Sequence, residues 1–290
     1  MAAVIGTPIR HSMSPAILNA AFRTAGLDWV FLAFEVAAGR AGDALTGMRA
    51  LGIDGFSVTM PHKADVAAAV DELTDEARAL GAVNCVERRG DLLVGHNTDG
   101  GGFVDALAEA GHPVAGRRCA VLGAGGAARA VVVGLAVAGA AEVVVVNRTA
   151  ARAEAAAALV PVGRVGTAED ALAVDLLVNA TSVGMGVDLA GAAHLGDPAD
   201  LAALVDVLEP AMLPLPLDLV RAGLRPGQVV ADLVYQPVQT PLLRVAAASG
   251  ATPVDGRGML VHQAARAFTI WTGQPAPIGA MAAAMAAGLP

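Results

Sequence analysis

A chain of 290 residues has room for two domains, or for one large one. Its formal net charge of −8 offers no basic face to a phosphate backbone, which argues against a nucleic-acid partner and still leaves a few placed cations to hold a small anion. Apolar residues make up 55% and aromatics only 3%; a core rich in Ala and Val suits helices packed closely on sheets in an α/β protein.

In chain order, residues 3–6 read as a short buried strand, and Ser14 as the cap of a helix opening at Pro15. Aromatic and β-branched residues over 29–36 predict a strand. The pattern then predicts helix over 43–51, strand over 55–59, and helices over 63–70 and 75–80. Residues 85–87 and 92–95 flank a Gly-Asp turn and read as a hairpin. A helix over 99–110 ends at Gly111-His112-Pro113.

After Gly116 the pattern becomes strand–loop–helix–strand: strand over 118–122, a glycine loop, helix to about 138, strand over 142–146 and helix over 150–159. Further strands are expected at 176–179 and 229–232, and a last helix over 259–272 packs back on the first domain. This order predicts a parallel sheet with covered faces. The segment 187–227, with its prolines and an apolar piece at 204–208, is expected to carry surface insertions around one helix and one strand. The expected division is residues 1–100 with 241–290 as a substrate domain, and 101–240 as a Rossmann-like domain, with a cleft between them that closes over the reactants.

Cys85 and Cys119 are too few for a disulfide framework or a four-cysteine zinc site, and both sit in apolar runs as buried thiols do; no metal site is expected. No basic stretch precedes the first apolar run, and the apolar run 130–141 is too short to span a bilayer. These features point to a cytoplasmic protein.

Gly123-Ala124-Gly125-Gly126-Ala127-Ala128 follows a strand and opens a helix, as a dinucleotide fingerprint must. Gly123 permits the tight turn, Gly125 lets backbone approach a pyrophosphate, and Ala128 allows close helix–sheet packing, while the helix start supplies N–H donors. The next strand ends in Asn147-Arg148-Thr149, with Arg152 one turn on and no carboxylate to hold a ribose diol. Two guanidiniums and a hydroxyl suit a 2′-phosphate, so the cofactor is read as NADP. Cations at a helix start are disfavoured by the dipole, which again points to a phosphate.

Four polar segments stand at strand ends or helix starts, where α/β sheets bind ligands: 11–15, 57–63, 81–84 and 97–100. Taken with the glycine loop, Ser12-Met13-Ser14-Pro15, Ser57-Val58-Thr59-Met60-Pro61-His62-Lys63, Gly81-Ala82-Val83-Asn84 and Asn97-Thr98-Asp99-Gly100 resemble the motifs of the shikimate/quinate dehydrogenase family. So do Asn147-Arg148-Thr149, Asn179-Ala180-Thr181-Ser182-Val183-Gly184-Met185, Asp232-Leu233-Val234-Tyr235 and 258–264. The resemblance implies reversible NADPH-dependent reduction of 3-dehydroshikimate to shikimate, a step of chorismate and aromatic amino acid biosynthesis. It implies Lys63 and Asp99 as the catalytic pair, and Ser12 and Ser14 as holders of the substrate carboxylate. Ser57, Thr59, Asn84 and Gln263 would meet ring hydroxyls, with Tyr235 lining the pocket. Gly123, Ala124, Gly125, Gly126 and Ala127 would face the pyrophosphate; Asn147, Arg148, Thr149 and Arg152 the 2′-phosphate; Thr181 and Met259 the nicotinamide. A monomer or homodimer is expected.

Two departures stand out. Ser57 replaces the family's usual Asn, and a hydroxyl reaches less far with one donor fewer. The segment 187–214 is longer than usual. The alternative substrates are quinate, aminoshikimate or a related polyol ring acid. A non-catalytic dinucleotide-binding regulatory module would have no need of Lys63 and Asp99.

Overall fold

The computed structural model describes residues 1–186, 215 and 223–288. The expectations for 187–214, including the apolar piece at 204–208, lie outside the described residues. The chain divides into two compact units, Met1–Ala106 with Gly258–Pro290, and Leu107–Arg257.

The first unit is built on a six-stranded mixed sheet, order β2-β1-β3-β5-β6-β4. Its strands are β1 (Ala2–Gly6), β2 (Phe31–Glu35), β3 (Gly55–Val58), β4 (Glu72–Leu73), β5 (Cys85–Arg89) and β6 (Leu92–His96). β1 pairs in parallel with β2 and β3, whereas β3, β5 and β6 run antiparallel in turn. The expected hairpin is β5–β6, and Gly90 takes a φ of 63° in its turn, a backbone that a side chain disfavours. Helices α1 (Ser14–Thr24), α2 (Ala41–Ala50), α3 (Lys63–Ala69), α4 (Asp75–Leu80) and α5 (Asp99–Glu109) alternate with these strands. Ile5, Met48, Phe56 and Leu93 are buried together in one core.

The second unit carries β7 (Arg118–Leu122), α6 (Gly126–Val137), β8 (Glu142–Val146), α7 (Ala150–Ala157), β9 (Gly163–Val165), α8 (Ala168–Leu172), β10 (Leu176–Asn179), β11 (Val229–Asp232), α9 (Pro241–Ala248) and β12 (Thr252–Val254). Its sheet, order β12-β11-β10-β7-β8-β9, is wholly parallel. The near-continuous apolar runs of β7 and β8 reflect burial on both faces. Successive strands are added on one side of β7 and then on the other, so a topological switch point falls between β7 and β10. The glycine loop leaves β7 at that point.

Two helices complete the chain in the first unit: α10 (Arg257–Thr272), whose first residue still counts with the second unit, and α11 (Ile278–Ala287). Trp271 of α10 donates Nε1–H to the Val86 carbonyl at 3.0 Å. Its indole lies over Gly55, where a Cβ would come within 2.4 Å of the ring.

The structure moves both expected domain boundaries. Residues 241–257 belong to the second unit, because β12 pairs with β11 and α9 buries Leu242, Leu243 and Val245 against Leu177 and Val230. Residues 101–106 stay with the first unit, because α5 crosses α10 at close range: a Cβ at Gly102 would lie 2.5 Å from the Gln263 backbone nitrogen. Gly102→Ala is therefore expected to lower stability by about 1–3 kcal/mol, the cost of overpacking a filled site. A urea-unfolding midpoint shifted down with unchanged slope is the expected reading.

Ser14 also differs from expectation. It is the first residue of α1, Met13 occupies the cap position, and no side chain caps the helix. Both cysteines are buried and free, as expected, and burial pushes their thiols well above the ordinary range. Among the described residues no helix is long and apolar enough to cross a membrane, and no group of side chains could hold a metal ion.

Candidate active site

In the first unit, polar residues gather at the ends of β3 and β6 and the starts of α3 and α5. Lys63, first residue of α3, donates Nζ–H to Asp99 Oδ2 at 2.6 Å. Asp99, first residue of α5, is a poor candidate for a simple helix cap, since its carboxylate serves side chains. Its Oδ1 accepts from Asn84 Nδ2 at 2.7 Å. The side chains of Lys63 and Asp99 are 24% and 9% exposed, so the ammonium is reachable and its counterion is nearly closed off.

Asn84 is 3% exposed and fully engaged. Its amide also donates to Thr98 Oγ1 at 3.0 Å, and its carbonyl accepts from the Thr98 N–H at 2.7 Å. Thr98 Oγ1 in turn donates to the Gln263 carbonyl at 3.1 Å. Thr98 thus ties α10 to the Lys63–Asp99 pair. It stood inside a recognised motif without a role, because a threonine before a helix reads as ordinary turn chemistry.

The remaining first-unit residues are placed by the same strand ends. Ser12 Oγ accepts from the Ser14 N–H at 3.3 Å, which folds the two serines together. Ser57 is 8% exposed in β3, and Thr59 follows that strand with its methyl against Gly6, where a Cβ would be 2.4 Å away. Gln263 and Met259 are half-buried on α10, and Gln263 Nε2 donates to Leu260 O at 2.8 Å. Among the described residues no hydrogen bond joins Ser12 or Ser14 to the Lys63 cluster. A cavity of about 610 Å³ is lined by Glu76, His96, His262 and Ile270, with Asn97 and Thr98; none of the expected site residues lines it. The hydrogen-bonded cluster, not the cavity, is therefore the better guide to the chemistry.

In the second unit the glycine loop and Thr181 meet at the switch point, and residues 147–152 follow the neighbouring strand β8. Gly123 has a φ of 111°, and a Cβ there would lie 3.1 Å from both the Ala180 carbonyl and the Thr181 methyl. A Cβ on Gly125 or Gly126 would meet nothing, so the backbone at the α6 start is open to close approach, beside the half-buried Ala124 and Ala127. Asn147 Nδ2 donates to Thr149 O at 3.0 Å, and Thr149 precedes α7 without capping it. Arg148 and Arg152 are exposed and form no ion pair with a described residue. Glu142, the acidic residue of β8, is at the opposite end of that strand, paired with Arg118 and Arg164. The donor set fits a dinucleotide bearing a 2′-phosphate.

The chain matches the shikimate dehydrogenase substrate binding domain over residues 4–86, shikimate/quinate 5-dehydrogenase over 106–182, and the shikimate 5'-dehydrogenase C-terminal domain over 256–286. A shikimate dehydrogenase (NADP+) of Geobacter metallireducens is 43% identical over 96% of this chain and 93% of its own. The chain belongs to the shikimate dehydrogenase family. Among solved structures, the Thermus thermophilus shikimate 5-dehydrogenase in complex with NADP(H) and shikimate aligns with a TM-score of 0.85 and 36% identity over 99% of both chains. The 5-ketofructose reductase of a Gluconobacter strain aligns with a TM-score of 0.83 and 35% identity over 99% of this chain and 98% of that one. Shikimate dehydrogenase family members thus share this fold with a reductase named for another substrate.

Tyr235, half-buried after β11, has its phenol raised above the usual range by burial. Thr181 donates Oγ1–H to Asn179 Oδ1 at 2.7 Å. Asn179 Nδ2 itself donates to Asp232 Oδ1 at 2.9 Å, a contact across 53 residues that no local pattern in the sequence marks.

Proposed function

We infer that this chain is an NADP-dependent shikimate dehydrogenase, interconverting 3-dehydroshikimate and shikimate, with Lys63 and Asp99 as its catalytic pair. The observation that carries the assignment of roles is the short, shielded Lys63–Asp99 contact with Asn84 fixing the second carboxylate oxygen. When bound, NADPH supplies the hydride, and NADP+ receives it in reverse. Hydride addition to a ketone builds negative charge on oxygen. The Lys63 ammonium stabilises that charge and gives up a proton from Nζ, leaving a hydroxyl and a neutral amine that solvent reprotonates. In the other direction a neutral Lys63 takes the hydroxyl proton. Asp99 orients Nζ.

The hydroxyls of Ser12 and Ser14 hold the ring carboxylate. Ser57, Thr59, Asn84 and Gln263 meet ring hydroxyls, and Tyr235 lines the pocket. Asn84 has both amide hydrogens engaged, so it donates to a substrate hydroxyl only by releasing Thr98 or Asp99. The glycine loop from Gly123 to Ala127 takes the pyrophosphate. Asn147, Arg148, Thr149 and Arg152 take the 2′-phosphate, and Thr181 and Met259 flank the nicotinamide. A cytoplasmic monomer or homodimer is part of the same proposal, and light scattering checks its oligomeric half.

The test follows the reduced nicotinamide band with shikimate, quinate and an aminoshikimate, each with NADP and NAD. Fast NADP reduction with shikimate alone is the expected result. Ser57, buried where the family usually has Asn, favours one second reading: activity on a related polyol acid. Equal or greater kcat/KM for quinate or the aminoshikimate would select it.

A further inference from the structure

We propose that Asp232 is a positioning residue for the reaction, holding the Thr181 and Tyr235 loops in the geometry that cofactor and substrate require. The inference rests on the functional reading above.

Asp232 ends β11 and is 1% exposed. Its carboxylate accepts three hydrogen bonds, each from a different loop or helix start. Thr240 Oγ1 donates to Oδ2 at 2.7 Å from the residue that caps α9. The Val234 N–H donates to Oδ1 at 3.0 Å, closing the turn that leads into Tyr235. Asn179 Nδ2 donates to the same oxygen at 2.9 Å from the end of β10.

Asn179 then sets the next loop. Its Oδ1 accepts from both the N–H and the hydroxyl of Thr181, at 3.0 and 2.7 Å, and its amide also donates to the Val183 carbonyl at 3.2 Å. Thr181 Oγ1 in turn accepts from the Val183 N–H at 3.1 Å. Thr181 so held packs at the place where Gly123 lacks a side chain. One carboxylate therefore fixes two neighbouring loops: the one after β10, at the switch point of the parallel sheet, and the one after β11 beside it.

Stability alone is a weak reason for such a group. Among the described residues no charged group acts on the Asp232 carboxyl; its hydrogen-bond partners are Asn179 from β10, Thr240 from α9 and the Val234 N–H of its own loop, none of them titratable or charged. Burying a carboxylate without a cation is costly even when it is hydrogen-bonded. What the charge provides is acceptor capacity: an ionised carboxylate takes three donors at once and donates none. Burial pushes its pKa up to about 6, partly offset by these same three bonds.

The Asp232→Asn variant places a donor where an acceptor is required and mimics the protonated acid. It is expected to lower kcat/KM for NADP about tenfold or more, the loss of pre-organisation in a single loop pair. Wild-type kcat/KM should fall towards the variant's level below about pH 6, while the variant lacks that limb. Linkage gives an independent sign. A carboxyl with a raised folded pKa binds its proton more tightly in the folded chain, so its stabilising contribution disappears as pH rises from the ordinary carboxylate range through about 6. The amide variant should be free of that decline and at least as stable at pH 8. Should the variant not fold, Thr240→Val tests the same point: losing one donor should raise the carboxyl further and move the acid limb to higher pH. The proposal is overturned by an Asp232→Asn enzyme with kcat/KM within twofold of wild type, or by an acid limb unmoved in both variants. A wild type without NADP-dependent activity on any of the three acids overturns instead the functional reading beneath it.

Discussion

Lys63→Ala is expected to lower kcat by about 10³-fold, the range in which positioned proton donors act, while changing the dissociation constant of NADP less than about twofold. The expectation follows from separation of roles. Lys63 belongs to the first unit, and the residues proposed to take the 2′-phosphate and pyrophosphate belong to the second. Removing the ammonium leaves Asp99 with Asn84 as its remaining side-chain donor and a side chain 9% exposed, so some stability is lost as well. NADP binding is the control that separates a folded, inactive enzyme from an unfolded one. Lys63→Arg sharpens the point. It preserves the charge, but a guanidinium does not release its proton near neutral pH, so shikimate oxidation should stay impaired. Equal loss of turnover and of NADP affinity in Lys63→Ala would sink the catalytic assignment.

Much of the site was legible in the sequence because strand ends and helix starts concentrate polar residues against an apolar background. Lys63, Asp99 and Asn84 were each ambiguous alone, since each had an ordinary explanation as a solvated, capping or turn residue. The structure joins them through side-chain bonds over sequence separations of 36 and 15 residues, which no local pattern encodes. Thr98 and Asp232 were harder to see. Their roles depend on partners 165 and 53 residues away, and no local pattern encodes such distances.

The fold shows the same division. The apolar runs of β7, β8, β10 and β11, and the short helix α4, fall where the sequence places them. The short strands β4, β9 and β12 were missed, because two or three residues carry no alternation to read and acquire their conformation from a neighbouring strand. Missing β12 is what misplaced the domain boundary: without it, nothing in the sequence binds residues 241–257 to the second sheet. The serine that looked like a helix cap was displaced by one position for a different reason. Pro15 is content in the first turn, and the Ser12 hydroxyl takes the N–H of Ser14.

Reversing both charges in Arg148→Glu/Arg152→Glu should weaken NADP on the order of 100-fold and leave NAD within about threefold, since only NADP carries the 2′-phosphate. Both guanidiniums are exposed and unpaired with any described carboxylate, so their removal orphans no buried partner and should leave the fold intact. Their position at the start of α7 is unfavourable to the helix dipole, and glutamates there are favourable, so thermal stability should hold or rise slightly. That opposition makes the variant informative: a residue pair kept for helix stability would not be cationic at this end. The NADP preference lost in the variant should also shrink in the wild type as salt is raised, because exposed charges are screened over about 10 Å at 0.1 M. NADP affinity unchanged by the double reversal would remove Arg148 and Arg152 from the phosphate site and leave Asn147 and Thr149 to account for it.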